Sequence, residues 1–495
     1  MKRRELLVGA SALATLTALP REVRAAPSGD YDFVIVGAGT AGLPAAIFAS
    51  RRGARVLMLD AAPVIGGTLH LSTGQMSAAG TKLQKAKGIV DTPDAHYRDA
   101  MRINRNTADP ALVRLAVNEA ATTLDWLMDN GLEVLPDHPV YGSGHEFYTE
   151  RRYQWAPQGG RSILAVLQQQ LKPEVDSGRV TVQLSSPVTS LLIAKSGAVE
   201  GVRVKTPAGE REYRGRHVLL TVGGYASNSA MFEKLNGVPD YGDNSYPYSQ
   251  GAGIDLGLQA GGYVRGKQNY LCSFGAVLAG EKIPSPVYAR FQTWPQQRQP
   301  WEVYVNAAGA RFIREDEPSV DRREHALLKQ PDMRYWIVFD DAILNAAPPG
   351  LNGWDRERTK AAFNGHPMFK SAPTIAVLAE ATGVDRAGLE RTIAEYNRAV
   401  AAKKDRLGRE HMPAPVAKPP YYAIRMQGFS TTSTVGLAVD GRLRVLREKG
   451  GVVPNLYAAG ELLGAGQTMG NAFVGGMMVT PALSFGRWLG QTLPV

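Results

Sequence analysis

The stretch DFVIVGAGTAGLPAAIFASRRGARVLMLD, Asp32 to Asp60, decides how the rest of the chain is read. It opens with Asp-Phe-Val-Ile-Val, an apolar run of the kind buried on both faces of a parallel sheet. Gly37, Gly39 and Gly42 follow at G-x-G-x-x-G spacing, ahead of a small-residue helix from Ala41 to Ser50. A second apolar strand, Val56 to Leu59, ends on Asp60. Each part has a physical task. Gly37 permits a tight turn, Gly39 lets backbone approach a pyrophosphate, and Gly42 lets helix and strand pack closely. The helix N-terminus at Ala41 faces phosphate charge with unpaired N–H groups, and Asp60 stands where a ribose hydroxyl needs an acceptor. A glycine triplet alone is weak. Strand, helix, second strand and terminal acid in this order predict dinucleotide binding.

The chain has 495 residues, long for one core, so two domains or one domain with a large insertion are expected. Its formal charge of +10 comes from scattered residues, as in SRRGARV and DRREHALL, without a basic block. That pattern describes a solvated surface and excludes a nucleic-acid module. Residues 1–26 have a basic start, an apolar stretch from Leu6 to Leu19 and a small-residue end at Val23-Arg24-Ala25. This reads as a cleavable export signal, and Arg3-Arg4 ahead of Glu5-Leu6-Leu7 gives it a twin-arginine look. An ordinary secretory signal that happens to hold two arginines is the alternative. Cys272 is the single cysteine, which excludes an intramolecular disulfide, a thiolate cluster and a c-type haem site. No other apolar run reaches spanning length. The mature protein is expected in the periplasm or secreted, with no metal site.

Beyond Asp60 the segment Ala62 to Gln84 is polar, Gly-rich and built from small side chains. Helices are predicted over Ala111 to Gly131 and in GGRSILAVLQQQLKPEV. Short strands follow in VTVQLSSPVTSLLIA, VKTPAGEREY reads as a hairpin, and HVLLTVGG is a buried strand running into Gly223. From Gly266 the texture turns to aromatics, proline and glutamine, ending in a helix with Leu389, Ile393, Tyr396 and Val400 on one face. The expected organisation is an export signal over 1–26, a first part of the nucleotide domain over 27–265, an inserted domain over 266–418, and a second part over 419–495.

These residues carry a family resemblance. The chain resembles the fumarate reductase and succinate dehydrogenase flavoproteins, particularly the soluble flavocytochrome-type branch and the related 3-ketosteroid dehydrogenases. The resemblance rests on VIVGAGTAGLPAA, APVIGGTLHLSTGQMSAAGT, HVLLTVGGYASN, VNAAGARFIRED, TIAEYNRAVAAKKDRLGREHMP, PYYAI and LYAAGELLG, and covers nearly all of the mature chain. It implies an α/β fold: a discontinuous Rossmann-like FAD-binding domain with an inserted α+β capping domain. It also implies FAD rather than NAD. Gly66 and Gly67 would approach the pyrophosphate and flavin, and Ser72, Gly74, Gln75 and Met76 would bring amides to the ring. Val188 would bond the adenine, Glu461 would accept from the ribityl or ribose hydroxyls, and Met477 and Met478 would open a last helix facing the flavin's N1–C2=O edge. Family members with covalent FAD attach it through a histidine in the early loop. That position falls near Thr68 here, so non-covalent FAD is expected.

The resemblance breaks down where the family holds a dicarboxylate. TSTVGL places Thr432 or Ser433 where the family has a histidine, Phe473 precedes Gly475-Gly476 in place of an arginine, and KQNYLCS replaces a His-Pro-Thr motif. The tail MMVTPALSFGR resembles that of the ketosteroid dehydrogenases, yet Ala472 sits near their catalytic tyrosine position. Fumarate is therefore not expected as substrate. Candidates for proton transfer are Arg322 and Arg323, which would alternatively pair with Glu315 or Asp316 at the surface, together with Tyr153, Ser433, Tyr148, Tyr270, Tyr304 and His145. Phe274, Phe291, Trp294 and Trp301 form either an aromatic wall for a ring-bearing substrate or the inserted domain's own core.

The expected function is an exported FAD-dependent oxidoreductase acting on a carbon–carbon bond next to a carbonyl or carboxylate, as enoate or enone reductase or as dehydrogenase. Its partners would be a small molecule and a separate cytochrome or quinone-linked electron carrier. A flavin oxidase using oxygen and a flavin-binding protein without turnover stand as rivals.

Overall fold

The computed structural model describes residues 31–206, 209–243 and 245–495. The expected export signal lies outside them. The strand Tyr31–Val36 forms the axis of an eight-stranded sheet, paired in parallel with Val56–Leu59 on one side and with Gly209–Leu220 on the other. Further parallel neighbours are Val180–Gln183 at one edge and Val452–Ala458 toward the other, so the two ends of the chain meet in one sheet. The strand Gly209–Leu220 does double duty. Its first half pairs antiparallel with Val199–Thr206, completing the hairpin read from VKTPAGEREY, and its second half joins the parallel ladder.

The helix Gly42–Ser50 is apolar all round because it is covered on both sides. The sheet lies beneath it, and the C-terminal helix Val479–Thr492 lies against it at small residues. A Cβ at Gly486 would collide with the Ala41 carbonyl, and one at Gly490 with that of Ala45. The long helix Pro110–Asp129 starts where Asp109 accepts from the amides of Ala111 and Leu112, with proline at the first helical position. Its buried face reaches the last helix through Thr123, whose hydroxyl lies 2.9 Å from that of Ser484.

A second hydrophobic core runs from Cys272 to Phe429 and takes in Tyr241. It is built on an antiparallel sheet ordered Val303–Val305, Arg334–Asp340, Tyr421–Gln427, Phe369–Ala372. The helix Arg386–Ala402 covers it with Leu389, Ile393 and Tyr396 buried, as the periodicity predicts. The sequence places the return to the first domain at 418, but Tyr421–Gln427 is a central strand of this second sheet. Nothing within YYAIRMQ says which sheet it joins, so only pairing assigns it. Beneath lies a buried ion network. Glu315 bonds Arg311 at 2.5 Å and Arg409 at 3.2 Å, while Arg311 also bonds Asp405 at 2.5 Å. Glu315 is therefore spent inside the core and pairs with neither Arg322 nor Arg323. Among the described residues no helix is long and apolar enough to cross a membrane.

Candidate functional site: the dinucleotide cleft

The carboxyl ends of the parallel strands open into a cleft of about 480 Å³, where such sheets hold their ligands. Gly37 turns the chain at φ +107°, and a Cβ there would collide with the Thr221 carbonyl. At Gly42 a Cβ would fall on the Gly37 carbonyl. Gly39 is different. Its nearest neighbour would be Gly67 Cα at 3.8 Å, leaving room on the cleft side for a ligand to approach backbone. Three glycines at one spacing thus do three things: turn, approach and packing.

Of the residues expected to hold the cofactor, Gly37, Gly39, Ala41, Asp60, Gly67 and Thr68 line the cleft. So do Ser72, Gln75, Val188, Gly223, Glu461 and Met478. Gly42, Gly66, Gly74, Met76 and Met477 stand behind this surface. Gly66 packs against Leu164 and His70, and Gly74 against the Gly159–Gly160 turn. Met76 pairs with Gln154 in a two-residue strand, and Met477 is wholly buried in the first core. The last helix begins at Val479, so Met478 occupies its cap position rather than its first turn.

The two acids of the cleft are oriented by the chain around them. Asp60 accepts from Ala38 N at 2.6 Å and Ala62 N at 2.7 Å. Burial nevertheless outweighs these bonds and raises its pKa. Glu461 uses one oxygen, Oε1, to accept from Ser433 N at 3.0 Å and Ser433 Oγ at 3.1 Å. Burial raises its pKa as well, against those bonds. Its second oxygen makes no hydrogen bond within the described residues. A lining carboxylate with one oxygen free suits sugar or ribityl hydroxyls. Together with the bare approach at Gly39 and the helix N-terminus at Gly42, the cleft fits FAD.

None of the eight proton-transfer candidates, Tyr148, Tyr270, Tyr304 and His145 included, lines this cleft. Arg322 is turned outward, its side chain 72% exposed and 3.9 Å from Glu317. Arg323 is wholly buried over the Phe274 ring, with one amino group donating to the Thr293 carbonyl and Nη2 unpartnered. Tyr153 lies against Gly475, and burial raises its pKa. The Ser433 hydroxyl is committed, donating to Glu461 and accepting from Tyr225 N at 2.8 Å. Nearby, Tyr148 donates to the Gly475 carbonyl at 2.5 Å. Of the aromatic candidates, Phe274 and Phe291 belong to the second core, and Trp301 is packed against it. Trp294 instead covers Gly144 of the first unit.

Several cleft residues escape sequence reasoning. Tyr246, Tyr248 and Thr431 come from irregular loops with no periodicity or motif. Tyr246 stands close enough to Asp60 for the carboxylate to add to the effect of burial and push the phenol up to about 12. Phe473, noted in the sequence only for the arginine it replaces, lines the cleft and also meets His145, ring centres 4.2 Å apart at a 30° tilt.

Comparison with known proteins agrees with this geometry. The sequence profile of the FAD binding domain matches residues 32–477. The chain is 29% identical to a fumarate reductase (cytochrome) of Shewanella frigidimarina over 479 residues, 94% of this chain and 77% of the relative. It is 27% identical to a vinyl phenol reductase of Lactiplantibacillus plantarum over 87% of this chain and 89% of the relative. The open conformation of a flavocytochrome c3 fumarate reductase superposes with a TM-score of 0.69 and 27% identity, covering 94% of this chain and 78% of that one. A profile match over most of the length, on a cleft shaped for the same cofactor, places the chain in the FAD binding domain family, among the FAD-dependent oxidoreductases of the fumarate reductase and succinate dehydrogenase flavoprotein superfamily.

Proposed function

We propose that the chain is an exported oxidoreductase that adds or removes hydrogen across a carbon–carbon bond next to a carbonyl or carboxylate. Bound FAD would supply or accept the hydride at N5. The observation that carries the substrate class is the charge of the cleft. Among the described residues its lining holds no lysine, arginine or histidine, and its only charged side chains are Asp60 and Glu461. The anion partners of this cleft are backbone N–H groups, which the pyrophosphate of FAD would take, so a dicarboxylate beside the flavin would find no cation in the lining to pair its charges. Phe473, Met469, Leu71 and Val474 offer apolar surface instead. The preferred substrate is accordingly a neutral or singly charged unsaturated compound, with an apolar or aromatic body.

FAD is held without a covalent bond, since Thr68 offers no nucleophile comparable to a histidine nitrogen. The unit centred on the second core acts as a cap, closing over the flavin end of the cleft. Electrons pass to or from a separate cytochrome or quinone-linked carrier, because the single cysteine of this chain, Cys272, is buried and supports no cluster of its own. The twin-arginine-like leader directs the folded protein to the periplasm.

An anaerobic absorbance screen of the bound flavin tests this reading, with saturated and unsaturated acids, aromatic enoates and 3-ketosteroids. Bleaching by a saturated compound establishes a dehydrogenase. Recolouring of the reduced protein by an unsaturated compound establishes a reductase. Rapid recolouring by air alone, with no response to the panel, overturns the proposal in favour of an oxidase.

A further inference from the structure

Behind Phe473 lies a cluster that the cofactor cleft does not use. His145 comes from the irregular segment after the helix Pro110–Asp129, and Asp321, Arg323 and Glu324 from the helix Val320–Leu327 of the second unit. His145 Nδ1 is 3.5 Å from Asp321 Oδ1 and 4.0 Å from Glu324 Oε2. The other oxygen of Asp321 accepts from Glu146 N at 3.1 Å, and Oδ1 also accepts from Phe473 N at 3.4 Å. Both carboxylates are buried, and Glu324 Oε2 has no hydrogen-bond partner. The imidazole is 21% exposed, and its Nε2 makes no hydrogen bond among the described residues.

We propose that His145, held at Nδ1 by the buried Asp321, is the acid–base residue that gives the substrate carbon its proton, or takes it, through Nε2. The inference rests on the oxidoreductase reading above. Two observations support it. The geometry is that of an imidazole oriented by a carboxylate, which fixes the tautomer and aims the other nitrogen outward. Phe473 places the dyad beside the cofactor cleft, since this residue lines the cleft and its ring centre lies 4.2 Å from that of the imidazole, tilted by 30°.

Burial opposes the imidazolium, but the hydrogen bond to Asp321 and the charges of Glu324 and Asp321 outweigh it, so the pKa of His145 is raised above 6.5. Arg323, the remaining charge facing it, acts in the opposite sense. Its own guanidinium is a poorer candidate, buried over Phe274 and bonded to the Thr293 carbonyl. In the reductive direction bound FAD, reduced by two electrons, would supply the hydride, and Nε2 of His145 would give the other carbon its proton. Neutral imidazole remains and is recharged from solvent through its exposed edge. The reverse reaction runs the same transfers backward.

The test uses the FAD-loaded protein and its His145→Gln and Asp321→Asn variants, each first checked for FAD content and melting temperature. Dithionite reduces the flavin in all three. Reoxidation by the unsaturated compound found in the screen is expected to fall by at least about 100-fold in H145Q. In wild type this rate is lost as pH rises through the raised pKa, and in D321N that loss moves to lower pH. A second readout is independent of turnover. With ¹³C-labelled histidine, the NMR signal missing from H145Q should titrate above 6.5 in wild type and lower in D321N. Equal reoxidation by wild type and H145Q overturns this inference alone, as does a His145 signal that titrates below 6.5. A wild-type flavin that no compound reoxidises overturns the oxidoreductase reading and this inference with it.

Discussion

Gly39 separates fold from function within a single residue. Its neighbours in the phosphate turn cannot carry a side chain, since a Cβ at Gly37 or Gly42 meets protein backbone, whereas one at Gly39 meets only Gly67 Cα at an ordinary 3.8 Å. Gly39→Ala is therefore expected to fold with a melting temperature close to that of the wild-type apoprotein, yet to retain little FAD after gel filtration. Gly42→Ala should lower the melting temperature of the apoprotein itself. Flavin absorbance per protein, read beside thermal unfolding, separates the two. Glu324 gives a second residue-scale expectation. Burial raises its pKa from 4.5 to about 8, so between those values the folded protein keeps a proton that the unfolded chain has released. Stability then falls as pH rises through this range. Glu324→Gln removes that contribution and should gain on the order of 2 kcal/mol over wild type at pH 8, with no gain at pH 4. Urea unfolding at the two values decides it.

At the scale of elements, what the sequence shows and what it hides follow from how local each determinant is. Val56–Leu59 appears as predicted, and Gly42–Ser50 within a residue, because each is an uninterrupted apolar or small-residue run beside glycines. The helices Pro110–Asp129 and Arg386–Ala402 are likewise written in their own caps and periodicity. The strand Tyr421–Gln427 is different. Its place in the second sheet depends on Arg334–Asp340 and Phe369–Ala372, partners distant in sequence. The site divides the same way. Gly37, Gly39 and Asp60 are visible as a motif, while Tyr246, Tyr248 and the His145–Asp321 contact exist only once distant segments meet. The ion network of Arg311, Glu315, Asp405 and Arg409 is a further long-range element, with all four side chains nearly or wholly buried. Glu315→Gln leaves Arg409 without its carboxylate and Arg311 with Asp405 alone, and should cost about 3–5 kcal/mol. The expected signature is a lower denaturation midpoint, with FAD content at low temperature unchanged, since the network belongs to the second core.

Taken whole, the molecule cannot hold its cofactor until synthesis is complete. The cleft draws Gly37, Asp60 and Val188 from the first half of the chain and Glu461, Phe473 and Met478 from its last residues. The parallel sheet closes only when Val452–Ala458 pairs with Gly209–Leu220. A chain threaded unfolded through a membrane would have to find FAD on the far side. A chain that folds first carries FAD with it, stabilised in proportion to the logarithm of free cofactor over its dissociation constant. This makes the Arg3-Arg4 pair a test of the proposed export route. Replacing both arginines by lysine should leave the full-length protein in the cytoplasm, folded, yellow and with its leader intact. Fusing residues 27–495 to a leader for the unfolded route should instead yield exported protein poor in FAD. Cell fractionation with flavin fluorescence of each fraction measures both, and export of the double-lysine protein at the wild-type level would show that folding and transport are not linked in this way.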